Sequence, residues 1–412
     1  RKLSTKEIDM NYREYFSKTT LTMKSSLIRE LVATTKTIPG LISFAGGFPS
    51  PQTFPKDILS DIYYDVVKNE GYDVLQYGQS EGDTQLKQQL INWEGYKGLS
   101  HDEMLVTVGA TNAIYYYTRA MIDPGDVIIC EAPSFLGCLV AFEAAGADLQ
   151  GVGMDAEGLS ITELKAKVSE LRGLGKKIKF VYTIPDFHNP GGITMSLARR
   201  KQLIDFCTAE HLAILEDNPY GRLRYSGDQV PTLYHIARED YNNHTLVTEV
   251  VSFSKILGPG MRLAFVKGES ELVNKMVSWQ QKINVSPDCV TERVAARFLE
   301  EGFLNPHIKT ICGFYQPYLK KMLECLADEM PSNVTWTQPE GGIFIWVTLP
   351  EHENTDTLFN KAMDHKVAFI PGSKFYPSNQ EKYNSLRLNF TYSTLEQIAE
   401  GTKRLGTLMR SL

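Results

Sequence analysis

Short β-branched runs alternate with amphipathic stretches through the middle of this chain, and that alternation limits its fold more than any other feature. The runs fall at 104–108, 127–130, 179–183, 213–216, 248–253 and 262–266, and segments such as 161–174 and 196–211 carry apolar residues at helical spacing. Such succession builds βα units around a mostly parallel sheet, an α/β architecture. The runs give way to Gly, Pro, Asn, Ser or Asp, the residues that turn a strand out of a sheet. In open α/β sheets ligands collect at the carboxyl ends of the strands. The polar residues there are the first place to look for chemistry.

Beyond about residue 270 the pattern changes. Helical stretches at 270–284, 287–301 and 306–330 are followed by short strand-like runs at 334–338, 342–349, 368–371 and 385–390. That mixture predicts a smaller α+β domain. A chain of 412 residues divides accordingly into an N-terminal segment (1–50), a large domain (51–290) and a small C-terminal domain (291–412). The N-terminal segment, extended over 41–55, is expected to pack on the small domain or cross to a partner subunit.

A net charge of −6 leaves no basic excess for nucleic acid or an anionic membrane, and no apolar run of spanning length occurs. The first twenty residues hold no apolar signal core, so a cytoplasmic protein is expected. Six scattered cysteines without a CxxC pair, and eight histidines without metal-ligand spacing, point to plain buried thiols and no metal.

Five strand ends carry candidate chemistry. Ser252-Phe253-Ser254-Lys255, with Gly258-Pro259-Gly260 and Arg262 following, sets a lysine directly after a β run. Desolvation there lowers the lysine pKa and frees its amine for imine formation. The hydroxyls and the guanidinium suit a phosphate dianion. A surface turn with an ordinary lysine is the plain alternative. Glu216-Asp217-Asn218-Pro219-Tyr220 offers a carboxylate for a protonated pyridine nitrogen and a phenol for a neighbouring oxygen, or else a common turn. Asn189, in Pro185-Asp186-Phe187-His188-Asn189-Pro190-Gly191-Gly192, offers an amide, or else a capped helix entry. Gly109-Ala110-Thr111, opening a helix over 113–121, would present backbone N–H groups to phosphate. Phe135 would stack on a flat ring or simply fill the core.

Each plain alternative is reasonable singly, but together they would have to coincide in order along the chain. That order resembles the fold-type I pyridoxal-phosphate (PLP) enzymes, specifically the class I/II aminotransferases, from about Leu41 to Leu412. Ser-x-Ser-Lys with its trailing Arg, Asn-Pro-x-Gly and Asp-x-x-Tyr carry the likeness. The start Ile42-Ser43-Phe44-Ala45-Gly46-Gly47-Phe48-Pro49, with Gln76-Tyr77-Gly78, is similar to the branch of 2-aminoadipate/kynurenine and aromatic aminotransferases.

The resemblance implies that Lys255 holds PLP as a Schiff base and shuttles the proton between the substrate Cα and C4′. It implies Asp217 on the pyridine nitrogen, Tyr220 and Asn189 on the phenolic oxygen, and Phe135 stacked on the ring where many relatives carry tyrosine. Gly109, Ala110, Thr111, Ser252, Ser254 and Arg262 would cradle the phosphate; many relatives have Ser-Gln or similar at the Ala110-Thr111 positions, and the departure here leaves the backbone donors. Tyr77 would reach the phosphate of a neighbouring subunit, implying a homodimer with shared sites. Arg387 would grip the substrate α-carboxylate, with Gly47 and Asn189 beside it; read alone, Arg387 fits a strand-edge surface pair better, and the family position reverses that. Arg29, Phe375 and Tyr376 are further candidates for the substrate pocket. The implied activity is ping-pong amino transfer from an aromatic, 2-aminoadipate or similar amino acid to a 2-oxo acid such as 2-oxoglutarate. A cysteine-conjugate β-lyase or a decarboxylase is open on the same scaffold. A PLP-binding effector domain of a transcription regulator is the remote alternative, since it needs a DNA-binding module ahead of Leu41.

Overall fold

A computed structural model describes residues 10–22 and 38–412. Arg29 lies outside the described residues. An eight-stranded sheet, a four-stranded sheet and a two-stranded pair organise the rest. The extended segment enters as β1 (Ile42–Ser43). The large sheet then takes β2 (Met104–Thr107), β3 (Val127–Ala132), β4 (Asp148–Asp155), β5 (Gly158–Leu159), β6 (Ile178–Thr183), β7 (Ala213–Asn218), β8 (Val247–Ser252) and β9 (Ala264–Lys267). Their order across it is β2-β9-β8-β7-β6-β3-β4-β5.

Strands β8, β7, β6, β3 and β4 run parallel, while β9 is antiparallel to both β8 and β2. Two reversals restore direction, so β2 points the same way as β8. The carboxyl ends of β2, β3, β6, β7 and β8 therefore lie along one edge. All five candidate strand ends share that edge, and Arg262, just ahead of β9, joins them.

The central strands are buried on both faces, as a parallel sheet covered by helices requires. Helices Ile161–Gly173 and Leu197–Ala209 cover one side, each capped by a serine that accepts from a first-turn amide. Helices Ala110–Met121, Leu136–Ala144 and Ser270–Asn284 supply the apolar cluster on the other. Alternation along β7 separates Glu216, whose carboxylate accepts from the amides of Leu233 and Tyr234 on the first side, from Asp217 on the second.

The smaller sheet has the order β10-β11-β14-β13, from β10 (Thr335–Trp336), β11 (Phe344–Thr348), β12 (Val367–Ala368), β13 (Ile370–Pro371) and β14 (Ser385–Asn389), with β12 paired instead to β1. Register Ile42↔Val367 and Ser43↔Ala368 carries the chain after β1 directly over this region. A helix spanning Leu304–Glu329, with Pro317 inside it, packs against the C-terminal helix Leu395–Met409.

Several details differ from the sequence reading. Strand β4 has no counterpart among the β-branched runs, and the helix after β2 begins at Ala110, three residues before the expected 113. The run at 248–253 stops at Ser252, whose hydroxyl accepts from Ser254 N and turns Phe253–Lys255 into a single 3-10 turn. Four of the six cysteines are buried, whereas Cys289 and Cys312 are half-buried. Among the described residues no helix is long and apolar enough to cross a membrane.

Candidate active site

Lys255 emerges from the turn after β8 and donates from Nζ to the carbonyl of Gly47 at 2.9 Å. Burial, then the positive charges of Arg387 and Arg262, push its pKa down to about 8. An amine so placed loses its proton within reach of neutral pH, which imine chemistry requires. If a carbonyl compound is captured by this lysine, the rate at which cofactor-free protein recaptures it should rise with pH through about 8 and then level off. Stopped-flow absorbance across about pH 6–10 checks this; a flat profile would contradict it.

Arg387 on β14 is buried, donating from Nη1 to Asn189 Oδ1 at 2.9 Å and from Nη2 to the carbonyl of Ala45 at 3.0 Å. Its guanidinium lies over the Phe344 ring at 4.0 Å and the Phe375 ring at 4.9 Å. Burial pushes its pKa down to about 10, against a partial rescue from Tyr220. Its Nε is buried with no protein partner. Gly47 leaves room here: a Cβ on it would press on Phe344 Cζ at 3.3 Å and reach ordinary contact with Arg387 Nη2 at 3.9 Å. The segment through Ala45 and Gly47 thus supplies backbone acceptors to both cations.

Asn189 follows β6 and is buried, joined to Pro190 by a cis peptide bond. With Oδ1 engaged by Arg387, its amide nitrogen turns to Tyr220, and that hydrogen bond favours the phenolate. Burial outweighs it, so the Tyr220 phenol stays above its usual range.

Asp217 sits at the end of β7, almost fully buried. Its Oδ2 accepts from the Tyr182 hydroxyl at 2.8 Å, while Oδ1 has no protein partner. Burial pushes the Asp217 pKa up to about 7; the Tyr182 hydrogen bond opposes this and Glu131 adds to it. A buried carboxylate oxygen without a donor is costly unless a cationic N–H meets it.

On the far side, Gly109 ends the turn after β2 at φ +80°, and a Cβ there would lie 2.7 Å from Arg262 Nη2. Helix Ala110–Met121 has no side chain capping its first turn. The amides of Ala110 and Thr111, at its first two positions, therefore point unsatisfied beside a guanidinium, as an anion site requires. Ser252, buried, ends β8, and Ser254, half-buried, follows it in the turn. Phe135 precedes helix Leu136–Ala144, its ring folded toward Gly137.

One residue stands apart: Tyr77 is 81% exposed in the single chain. Sequence reasoning also left residues out. Tyr182, Phe344 and the carbonyl of Ala45 touch the site's charged groups, and Gly47, expected beside the substrate carboxylate, accepts from Lys255. Phe375, named only as a pocket candidate, lies on Arg387.

A half-buried lysine with a lowered pKa, an open carboxylate, a phenol, an amide, a fork-shaped cation and an anion site lie together at the carboxyl edge of the large sheet. The family model "Aminotransferase class I and II" matches residues 52–405. The chain belongs to the class I/II aminotransferases.

An aromatic-amino-acid aminotransferase of Thermococcus litoralis is 39% identical to this aminotransferase, over 97% of this chain and 95% of the relative. A 2-aminoadipate transaminase of Thermus thermophilus is 32% identical, over 98% of each chain. A kynurenine aminotransferase of Pyrococcus horikoshii, solved in complex with PMP, superposes with a TM-score of 0.92 at 38% identity, covering 97% of this chain and 98% of that one. The fold is that of a fold-type I PLP enzyme, and the cofactor is pyridoxal 5′-phosphate. The donor set fits it: Asp217 Oδ1 is open for a pyridinium N–H, and the Ala110 and Thr111 amides with Arg262 suit its phosphate.

Proposed function

We propose that this aminotransferase takes the amino group of an aromatic, 2-aminoadipate or kynurenine-like amino acid and returns it to a 2-oxo acid, 2-oxoglutarate foremost, in a ping-pong cycle. The names of the relatives support the donor class. The observation that carries the reading is the pairing of Lys255 and Arg387 on the carbonyls of Gly47 and Ala45, two residues apart. Arg387 can hold the substrate carboxylate while Lys255, as the neutral amine, works at the adjacent Cα.

When bound, PLP supplies an electron sink for the pair left at the substrate Cα. This chain's residues do the rest. Arg387 exchanges its carbonyl contact for the substrate carboxylate, a two-point grip that orients the Cα–H bond. Lys255 Nζ takes and returns the proton at that carbon. Asp217 Oδ1 holds the proton on the ring nitrogen, while Tyr220 and Asn189 serve the phenolic oxygen and Phe135 the ring face. Gly109, Ala110, Thr111, Ser252, Ser254 and Arg262 take the phosphate. Phe344 and Phe375, both buried, pack on the Arg387 guanidinium and hold it in place for that grip. A division at 50 and 290 would put Lys255 and Asp217 in the larger part and Arg387 in the smaller.

A homodimer is part of this proposal. Tyr77, exposed here, would complete the neighbouring subunit's phosphate site. Tyr77→Phe should then weaken PLP retention on dialysis without lowering the melting temperature of the apoprotein, and light scattering should give twice the chain mass. Unchanged retention, or a monomer, would contradict it.

A donor panel with 2-oxoglutarate tests the activity itself. Glutamate should form from phenylalanine, tyrosine, kynurenine or 2-aminoadipate. Pyruvate and ammonia released from a cysteine conjugate with no acceptor consumed would replace amino transfer with β-elimination.

A further inference from the structure

We propose that Tyr182 is a positioning residue for amino transfer: backed by the Cys138 thiol, it fixes the Asp217 carboxylate so that Oδ1 alone faces the cofactor's ring nitrogen. The inference rests on the reading of Asp217 as the partner of that nitrogen.

Sheet register brings the two residues together. Tyr182 on β6 is paired with Leu215 on β7, and Asp217, two residues further along, projects from the same face. The phenol leans along the strand and donates to Oδ2 at 2.8 Å. Its oxygen also lies 3.0 Å from Cys138 Sγ. A hydroxyl has one proton. Given to the carboxylate, the stronger acceptor, it leaves the sulfur contact to be made by the thiol proton. Burial keeps the Cys138 thiol well above its usual pKa, so that proton is present. The chain therefore runs from S–H to O–H to carboxylate. The edge of Phe142, 5.2 Å away at 77°, fixes the plane of the Tyr182 ring. Rotation of the carboxylate about its own axis would break the Tyr182 bond, so Oδ1 stays where it is without a protein donor.

The groups around Asp217 are Tyr182 on β6, Glu131 on β3, Cys138 on the helix after β3, and Tyr220 beyond β7. Glu131 is itself tied to Thr183 Oγ1 and the Ile184 amide at 2.5 and 2.9 Å, and opposes the Asp217 charge from a fixed place. Tyr182 is the neighbour whose hydrogen bond favours that charge. Removing its hydroxyl makes Asp217 easier to protonate.

The test is Tyr182→Phe in the holoenzyme. We expect kcat to fall about tenfold, the worth of one hydrogen bond to a charged group, with KM for the amino donor unchanged. The acid limb of kcat should move to higher pH. The absorbance of bound PLP should shift in the direction produced by Asp217→Asn. The Tyr182→Phe/Asp217→Asn double variant should be no worse than Asp217→Asn alone, because the tyrosine acts through the carboxylate. Cys138→Ala, a smaller change, should move the acid limb the same way by less. Additive losses in the double variant, or an unmoved acid limb and spectrum in both Tyr182→Phe and Cys138→Ala, would overturn the inference while Asp217→Asn remains defective. An Asp217→Asn enzyme with normal rate and spectrum would instead overturn the cofactor reading on which it rests.

Discussion

Lys255→Ala should lower the amino-transfer rate by about four orders of magnitude, the upper range for loss of a positioned proton-transfer group. The fold should survive. Lys255 donates to one backbone carbonyl and carries a charge that burial and two arginines disfavour, so its removal relieves repulsion at the cost of a small void. The variant should therefore melt no lower than the parent in the absence of cofactor, by circular dichroism. Phosphate contacts and the Asp217 site remain, so PLP should still bind, without the absorbance band that depends on attachment to lysine. Retention of the parent rate would remove the basis of the account.

Arg387→Ala is the second large effect expected. The guanidinium is buried between two aromatic rings and bonded to Asn189 and Ala45. Truncating a buried, hydrogen-bonded charge costs about 2–5 kcal/mol in recognition. A loss of several hundredfold in kcat/KM is expected, about 3.5 kcal/mol at tenfold per 1.4, and most of it should appear in KM for the amino acid. Arg387→Lys should recover little, since an ammonium cannot make the parallel two-point contact. Asn189 would also lose the partner of its Oδ1, so its hold on Tyr220 should loosen. Steady-state kinetics with two donors of different side chain, both losing the same factor, would separate carboxylate binding from side-chain recognition.

The sequence made the carboxyl ends of the strands legible because their chemistry resides in side-chain identity. A lysine after one β run, an aspartate after another and an asparagine before Pro190 are visible without coordinates, and the parallel sheet follows from the strand–helix alternation. What stayed hidden depends on register. Tyr182 reads as one more aromatic in a buried strand; only its alignment opposite Leu215 places its hydroxyl on Asp217. The acceptors for Lys255 and Arg387 are backbone carbonyls, which any residue possesses. Strand β4 went unseen because Asp148-Leu149-Gln150-Gly151-Val152-Gly153-Met154-Asp155 has one β-branched residue and two glycines; pairing with β3 overrides that poor propensity. The early start of the helix at Ala110 has a similar cause. Gly109 turns the chain at positive φ, and the helix begins at once without a side-chain cap, leaving the amides that suit a phosphate.

The central claim is that Lys255 is the residue to which PLP is joined. Borohydride reduction of the holoenzyme, followed by proteolysis and mass spectrometry of the peptides, tests it directly. The account predicts a single phosphopyridoxyl adduct, on the peptide that contains Lys255, and its disappearance when the enzyme is first saturated with an amino donor. An adduct on a different lysine, or none on Lys255 in enzyme that transfers amino groups, would contradict it.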